Sequence, residues 1–324
     1  MTDYGLTDGP VLESVTREFA ETHASPPVPP DVDLAAARRL VTELQDKPPL
    51  EETGTYEQWI MGPANPHGRV RVRVVRPAGD RARPLPVIVY LNGLGWALGD
   101  SVTHDRILRS LALGADAAVV FPEYDLMPRA RYPVALEQCY AVSRWVTEDG
   151  ANLGLDSSRI ALAGDSSGAN LAAALTLMAK ERGDVSFCYQ VLFCPVTDAG
   201  CDTPSYHQFA TGFFLRADTM RWFWDQYAAD PAQRFEITAS PLRATIEQLR
   251  GLPPALIVTG EADVVRDEGE AYAAKLRAAG VPVTSMRYHG AIHDFMVIDA
   301  LSGTEAAKAA LIQGTDTLHV VLHE

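Results

Sequence analysis

The residues best suited to chemistry are Gly164 to Gly168, which read Gly-Asp-Ser-Ser-Gly. They join the apolar, strand-like run Ile160 to Ala163 to a helix-forming run that begins near Ala169. Glycines two residues before and two after a serine allow the cramped strand-to-helix turn that lifts its hydroxyl above a parallel sheet. The five letters alone are a weak signal, because glycine and serine also fill ordinary loops. The flanking strand and helix supply the required context, so we predict that Ser166 is a nucleophile.

Such a serine needs a base to take its proton and an acid to orient that base. The short apolar run Ala255 to Gly260 predicts a buried strand, and Asp263 lies in the first turn after it, where sheets deliver functional loops. The later acids Asp267, Glu268 and Glu270 fall within a helical pattern. There they are expected to act as solvated charges or to compensate the helix dipole. We therefore predict that Asp263 is the acid.

Two histidines follow the next predicted strand, Val281 to Tyr288. His289 comes directly at the strand end and fits a hydrogen-bonded loop residue. His293 lies deeper in a loop that can return its imidazole over the sheet, so we predict that His293 is the base. The order Ser, Asp, His along the chain is that of the α/β-hydrolases and differs from the chymotrypsin and subtilisin orders.

A loop after the strand Pro86 to Tyr90 completes the pattern, because residues 91–96 read Leu-Asn-Gly-Leu-Gly-Trp. Here the chain resembles the bacterial hormone-sensitive-lipase-like family of α/β-hydrolases. Its members carry His-Gly-Gly-Gly at this place, a Gly-Asp-Ser-Ala-Gly turn, and Asp and His in the same later loops. Further stretches of resemblance cover most of residues 50–300: Tyr124 to Pro128, Tyr132 to Glu137, Cys194 to Asp198, Leu252 to Ala255 and Arg266 to Gly269.

The resemblance implies the same three catalytic residues, Ser166, Asp263 and His293. It also implies an oxyanion hole, a set of backbone N–H groups that hold the negative oxygen of the reaction intermediate. These donors are expected on the backbone of four residues: Gly93, Leu94, Gly95 and Ser167.

The chain departs from the family pattern at Asn92, which replaces the usual His, and at Leu94, which replaces the middle Gly. A positive φ at Leu94 would cost about 1–2 kcal/mol, and its side chain would approach the expected position of a substrate carbonyl. Losing one oxyanion donor typically lowers turnover by roughly 100- to 1000-fold. Two interpretations are open: the loop tolerates leucine, or the oxyanion hole is altered.

Eight strands are predicted. Thr55 to Met61 and Val70 to Val75 form an antiparallel opening, and six more runs alternate with helical patterns, at 86–91, 117–121, 159–163, 187–193, 255–260 and 283–288. This alternation predicts an α/β-hydrolase fold: a mostly parallel sheet with helices on both faces and a helical cap. Arg69, Arg71 and Arg73 alternate with valines, as on the solvent-facing side of a strand.

The cap is expected from two segments of one domain spanning residues 1–324. The first is about 1–50, where Pro26 to Pro30 separates two helical stretches, and the second is about 196–240, which is rich in aromatic residues. The helical spacing of Phe223 and Tyr227 fits a stripe that faces the core. Other aromatic residues are expected to line an apolar substrate pocket, namely Trp96, Phe213 and Phe214.

The composition limits which partners and which cellular location are expected. The formal net charge of −14 argues against a nucleic-acid partner and leaves no basic patch for anionic membranes. No secretory or membrane-spanning segment is evident, so a cytoplasmic location is expected. The four cysteines favour buried, reduced thiols, and the scattered histidines predict no metal. The resemblance suggests a homodimer through the last strand, near 283–288.

These residues favour a cofactor-independent carboxylic ester hydrolase, an esterase or acetyl-hydrolase acting on a small neutral ester. A second hypothesis is a lyase or cyclase that uses the same His-Asp base on a specialised metabolite, with its oxyanion loop altered. A third is an inactive relative that binds a ligand as a receptor. The complete set of Ser, His and Asp argues against that receptor.

Overall fold

A computed structural model describes residues 9–23, 33–45, 52–62, 68–79 and 83–324. Its centre is one eight-stranded sheet. The strands are β1 Thr53–Met61, β2 Arg69–Pro77, β3 Leu85–Leu91, β4 Ala118–Glu123, β5 Leu155–Asp165, β6 Tyr189–Phe193, β7 Ala255–Ala262 and β8 Val283–Ile292.

The strands lie in the order β1-β2-β4-β3-β5-β6-β7-β8. β1 and β2 pair antiparallel, β2 is antiparallel to β4, and every later pair is parallel. The predicted antiparallel opening and parallel remainder are therefore confirmed. The apolar side chains of β3 are buried along its whole length, as expected for a central strand covered on both faces.

Within the described ranges, ten α-helices surround the sheet: α1 Ser14–Thr22, α2 Leu34–Leu44, α3 Asp105–Gly114, α4 Val134–Asp149, α5 Ser166–Arg182, α6 Pro204–Gln208, α7 Ala217–Tyr227, α8 Ile246–Leu249, α9 Arg266–Ala278 and α10 Glu305–His323. From β3 to β4 the chain moves one way along the sheet, and from β4 to β5 it moves back. Right-handed crossovers therefore place α3 on one face and α4 on the other. α10 packs beside α3, and α5 packs beside α4.

The alternation in β2 is as predicted except at Arg73, whose side chain is only 15% exposed and pairs with Asp105 at 3.0 Å. Val70, Val72 and Val74 are fully or nearly fully buried, whereas Arg69 is exposed and Arg71 is partly exposed. The valines face the sheet interior because successive side chains of a strand point to opposite sides.

The N-terminal helices contact the loops at the carboxyl ends of the strands. The guanidinium of Arg38 in α2 donates to the carbonyl oxygens of Ala97, at 2.9 Å, and Met127, at 3.1 Å. In α1, the ring of Phe19 lies 5.3 Å from that of Phe214. The predicted proline separator, Pro26 to Pro30, lies outside the described residues.

Candidate active site

Ser166 occupies a strained turn between β5 and α5. Its φ is +51°, a conformation that costs a residue with a side chain about 1–3 kcal/mol. A Cβ on Gly168 would overlap the carbonyl oxygen of Leu91, and one on Gly164 would lie 2.7 Å from the backbone carbon of Gly168. The two glycines are therefore required for close backbone approach, and the predicted strand-turn-helix context is confirmed.

The register of two neighbouring strands brings the acid and the histidine together. Ala262 in β7 pairs with Ile292 in β8, and Asp263 and His293 are the residues that follow them. Nδ1 of His293 lies 2.8 Å from Oδ2 of Asp263. Adjacent parallel strands thus deliver both side chains to the same edge of the sheet.

The same imidazole reaches the serine, because Nε2 of His293 lies 2.8 Å from Oγ of Ser166. All three side chains are buried, with Asp263 1%, His293 3% and Ser166 4% exposed. An ionised carboxylate only accepts hydrogen bonds, so Nδ1 carries the proton toward Asp263. Nε2 is then free to accept the proton of the serine hydroxyl.

The competing histidine and acids lie elsewhere. His289 is 76% exposed and pairs with Glu261 at 3.1 Å. Glu268 is fully buried and accepts the backbone N–H groups of Thr197, at 2.6 Å, and Asp198, at 3.3 Å. Of the two roles predicted for Glu268, that of a solvated charge is wrong, because helical position alone does not reveal that α9 packs this residue against the end of β6. Its position in the first turn of α9 agrees with the other role, compensation of the helix dipole.

The loop after β3 has a left-handed backbone. Its φ angles are +67° at Leu94, +69° at Gly95 and +57° at Trp96. Leucine therefore stands in a conformation that favours glycine, as the departure from the family pattern suggested. A Cβ on Gly95 would overlap the ring of Phe223 in α7, so this glycine is required by both φ and packing.

One predicted oxyanion donor, the N–H of Gly93, already has a hydrogen-bond acceptor within the protein. The N–H of Gly93 donates to Oδ2 of Asp165 at 3.1 Å, so the prediction that Gly93 binds the oxyanion is wrong. The N–H groups of Leu94 and Gly95 have no hydrogen-bond acceptor among the described residues. Ser167 is the second residue of α5, and its N–H is one of the four at a helix start without an intrahelical partner.

Asp165 anchors this loop, a role that the sequence did not reveal. Its fully buried carboxylate accepts from the hydroxyl of Tyr90 at 2.7 Å and lies 3.4 Å from Nε2 of His104. Burial lowers the pKa of His104, but the charges of Asp165 and Asp294 and the hydrogen bonds to Asp165 and Asp100 together outweigh burial, and the pKa rises. The position beside Ser166 within the Gly-Asp-Ser-Ser-Gly turn was the available signal.

A small cavity opens beside the three residues. It encloses at most about 440 Å³, open solvent included, and its wall is largely apolar. Ser166 and His293 lie at its base, and the other lining residues are Leu94, Gly95, Leu98, Phe214, Leu215, Thr219, Met220, Phe223 and Asp294. A cavity of this size and lining fits a small, mostly apolar molecule.

Phe214 lines this cavity as expected, but Trp96 and Phe213 do not, so the prediction for those two is wrong. The indole of Trp96 stacks on Tyr227 at 4.1 Å between ring centroids and is 1% exposed. Phe213 packs edge-on against Phe209 at 5.2 Å. The sequence places these rings near the site, but the positive φ angles along both loops decide which way each ring turns.

Burial and nearby carboxylates both change the pKa of His293. Burial lowers the pKa of this imidazole, but the nearby carboxylates of Asp263 and Asp294 outweigh burial and raise the pKa to about 9. Because these carboxylates favour the protonated ring, the imidazole becomes available as a base at a higher pH than an unperturbed histidine would.

Three potential metal ligands lie together in this region. Ligand atoms of Cys194, Asp263 and His293 fall within 4.8 Å of one another, and all three residues are buried. The hydrogen bond between Asp263 and Nδ1 of His293 already accounts for the proximity of two of them. The geometry is therefore that of a Ser-His-Asp arrangement with a cysteine behind it.

Comparisons with known proteins agree with this geometry. A family model described as the alpha/beta hydrolase fold matches residues 88–297. The chain is 36% identical over 249 residues to an ethyl acetate hydrolase of Pseudomonas putida, covering 76% of this chain and 77% of that protein. It is 35% identical over 315 residues to the carboxylesterase NlhH of Mycobacterium tuberculosis, covering 93% and 96%.

A solved structure is also similar. A thermostable esterase from Pseudomonas putida superposes with a TM-score of 0.93 at 44% identity, covering 98% of this chain and all of that one. The chain therefore belongs to the hormone-sensitive-lipase-like family of α/β-hydrolases, and it is a serine carboxylesterase.

Proposed function

We propose that the protein hydrolyses small neutral carboxylic esters through an acyl-enzyme on Ser166, with His293 as the base and Asp263 as its orienting acid. One observation carries this assignment. A single buried imidazole lies 2.8 Å from the serine hydroxyl on one side and 2.8 Å from a carboxylate on the other. This is the geometry that activates a serine for attack on a carbonyl carbon.

In the first half-reaction, Oγ of Ser166 bonds to the carbonyl carbon as its proton passes to Nε2 of His293. The carbonyl oxygen becomes an oxyanion, which in this proposal is held by the N–H groups of Leu94, Gly95 and Ser167. The bond to the alcohol oxygen then breaks, and His293 returns the proton to that oxygen. An acyl-serine and a free alcohol result.

In the second half-reaction, water attacks the acyl-serine and gives its proton to His293. The second tetrahedral intermediate collapses, the bond to Oγ breaks, and Ser166 recovers its proton from the imidazole. The carboxylic acid leaves and the enzyme is restored. All proton transfers pass through Nε2, and Nδ1 stays bonded to Asp263 throughout.

The cavity supports a small neutral substrate. Leu94, Phe214, Met220 and Phe223 give it an apolar wall, and no lysine or arginine of the described chain contributes to that lining. An anionic substrate would therefore find no countercharge. The relatives are esterases, and the lyase or cyclase hypothesis is not favoured.

We expect p-nitrophenyl acetate to be hydrolysed and kcat/KM to fall as the acyl chain lengthens toward decanoate, because the cavity is small. In Leu94→Gly, the ratio of decanoate to acetate kcat/KM should rise by about tenfold, since the leucine side chain no longer limits the wall. Steady-state assays of the ester series for both proteins provide the measurement.

Acetate hydrolysis itself should change less than about tenfold in Leu94→Gly, because the backbone already follows a glycine-like path. A gain of about 100-fold or more on acetate would contradict this view, since it would mean that leucine misaligns the oxyanion donors. Failure of the wild type to hydrolyse any ester of the series would overturn the proposed function.

We also propose that residues 1–324 form one domain, with the described parts of about 1–50 and 196–240 as its cap. The contact between Phe19 in α1 and Phe214 in the insertion supports this arrangement. So do the α7 side chains of Thr219, Met220 and Phe223, which close one side of the cavity. The second segment thus supplies part of the cavity wall, and the first packs against one residue of that wall, Phe214.

We further propose a cytoplasmic location, no nucleic-acid partner and a homodimer through β8. Cys139, Cys194 and Cys201 are free and buried, which fits a reducing compartment. The net charge of −14 opposes binding to nucleic acid. β8 lies at the sheet edge, where Met286 is 44% exposed. No helix in the described ranges has both the length and the apolar character needed to cross a bilayer.

A further inference from the structure

Asp294 is a buried carboxylate at the active site that the proposed mechanism does not use. It follows His293 directly and is 2% exposed. Its Oδ2 lies 3.4 Å from Nε2 of His293, the nitrogen that faces Ser166. It also lines the substrate cavity, so this carboxylate lies on the opposite side of the imidazole from Asp263.

The surroundings leave this carboxylate few partners. Oδ1 of Asp294 has no hydrogen-bond partner among the residues that the structure describes, and within those ranges no lysine or arginine forms an ion pair with it. An isolated buried carboxylate is costly unless a cation lies nearby or it takes up a proton. Among the described residues, His293 is the cationic group that forms an ion pair with it, and His104 adds a weaker attraction.

The backbone holds Asp294 firmly in this position. Its φ is +52°, in the left-handed region where aspartate and asparagine are the most tolerated non-glycine residues. Its carbonyl oxygen accepts the N–H groups of Val297, at 2.8 Å, and Ile298, at 3.0 Å. The side chain is therefore directed by a fixed turn.

The titratable groups around Asp294 and His293 come from several elements and are mostly acidic. They are Asp263 after β7, Asp165 at the end of β5, His104 before α3, Cys194 after β6 and Tyr90 in β3. Burial raises the pKa of Asp294, and the charge of His293 lowers it; the acids Asp165 and Asp263 add to the rise, giving about 7. The charge of either group therefore affects the proton affinity of the other.

We propose that Asp294 is a second carboxylate partner of His293, which favours the proton on Nε2 and so moves the appearance of the free base to higher pH. This inference rests on the proposed function, because it concerns the same imidazole. Asp294 is a positioning residue that acts on the reaction through His293.

The sign of the effect follows from charge. An ionised Asp294 favours the imidazolium, which cannot accept the proton of Ser166. Removing that negative charge makes the imidazole lose its proton at lower pH. The acid limb of the pH profile, the pH range over which kcat/KM rises with pH, should then move to lower pH. Damage to the fold would instead lower kcat/KM at every pH and leave the acid limb in place.

Two variants test this inference. Asp294→Asn keeps the shape and tolerates the left-handed backbone, and Asp294→Gly removes the side chain in a conformation suited to glycine. In both, the acid limb for p-nitrophenyl acetate should shift downward by about one pH unit or more. At a pH below the wild-type limb, activity relative to each variant's own plateau should rise by about tenfold.

The rate at which an organophosphate inactivates each protein, measured across the same pH range, gives a second readout. It follows activation of Ser166 without ester turnover, so it serves even for a weakly active variant. Asp202→Asn is the matched control, because it removes the same formal charge from a side chain that is 80% exposed. Its limb should coincide with that of the wild type.

The outcomes separate the two proposals. A wild type that neither turns over esters nor reacts with the organophosphate would contradict the proposed function. An active wild type whose limb stays in place in both Asp294 variants would overturn the inference and leave the proposed function standing. A downward shift in both variants, with no shift in Asp202→Asn, would support it.

Discussion

Replacing Ser166 with alanine is expected to lower kcat/KM for p-nitrophenyl acetate by roughly 10⁴-fold or more. The variant loses the one oxygen that lies 2.8 Å from Nε2 of His293. Any residual rate would come from water attacking an ester held by the oxyanion donors alone. Steady-state kinetics on purified wild type and Ser166→Ala, compared at the same pH, measure the loss.

Ser166→Ala should leave the fold intact, since alanine meets the same backbone strain in this turn as serine and adds no atoms. Equal circular dichroism spectra would establish that. Ser158→Ala is a suitable control, because Ser158 is exposed and its hydroxyl bonds only to Asp156 among the described residues. A Ser166→Ala protein that keeps a tenth or more of the wild-type rate would contradict the nucleophile assignment.

Asp263→Asn should lower kcat by about 10⁴-fold while the fold stays intact. The carboxylate accepts the proton on Nδ1 of His293 at 2.8 Å, whereas an asparagine amide can donate to that nitrogen. Donation would move the ring proton to Nε2, where it blocks acceptance from Ser166. The expected signature is a much lower plateau, which the Asp294 variants do not show; the acid limb should move toward acid in Asp263→Asn as well, because Asp263 also raises the pKa of His293.

Asp267→Asn provides the comparison for that variant. Asp267 lies in the first turn of α9 and pairs with Arg266 at 2.8 Å, so the substitution removes a carboxylate close in sequence that is remote from the proton path. A loss of less than about tenfold is expected, as for a partly exposed ion pair. Equal losses in both variants would mean that Asp263 has no special role.

Asp263 could be placed because the strand before it is a short apolar run after two prolines. The prediction that His293 lies deep in a loop is wrong, because β8 continues to Ile292 and contains His289. Both residues nevertheless follow adjacent parallel strands, which deliver them to one edge of the sheet. The elbow around Ser166 was readable for a similar reason, since its two glycines are the residues that close backbone approach requires.

The pocket lining could not be predicted in the same way. Trp96 and Phe213 lie in the expected loops, yet their rings pack against Tyr227 and Phe209. A single positive φ reverses the direction of a loop side chain, and hydrophobic periodicity carries no information about it. The lining by Met220 of α7 was missed because one face of this helix serves both the core and the cavity.

The burial of three acidic residues also could not be predicted from the sequence. Glu268, Asp165 and Asp294 occupy positions that a sequence pattern assigns to helix surface or turn, but each is at most 2% exposed. Their burial depends on contacts between elements far apart in the chain, such as Asp165 with the N–H of Gly93. Short-range composition cannot reveal these contacts.

The central claim is that the hydroxyl of Ser166 is the group that His293 activates. Treatment with diisopropyl fluorophosphate, followed by mass spectrometry of proteolytic peptides, tests it most directly. We expect stoichiometric modification of the peptide that contains Ser166, in step with loss of ester hydrolysis, and no modification in Ser166→Ala. Inactivation with the label on another residue would contradict the claim.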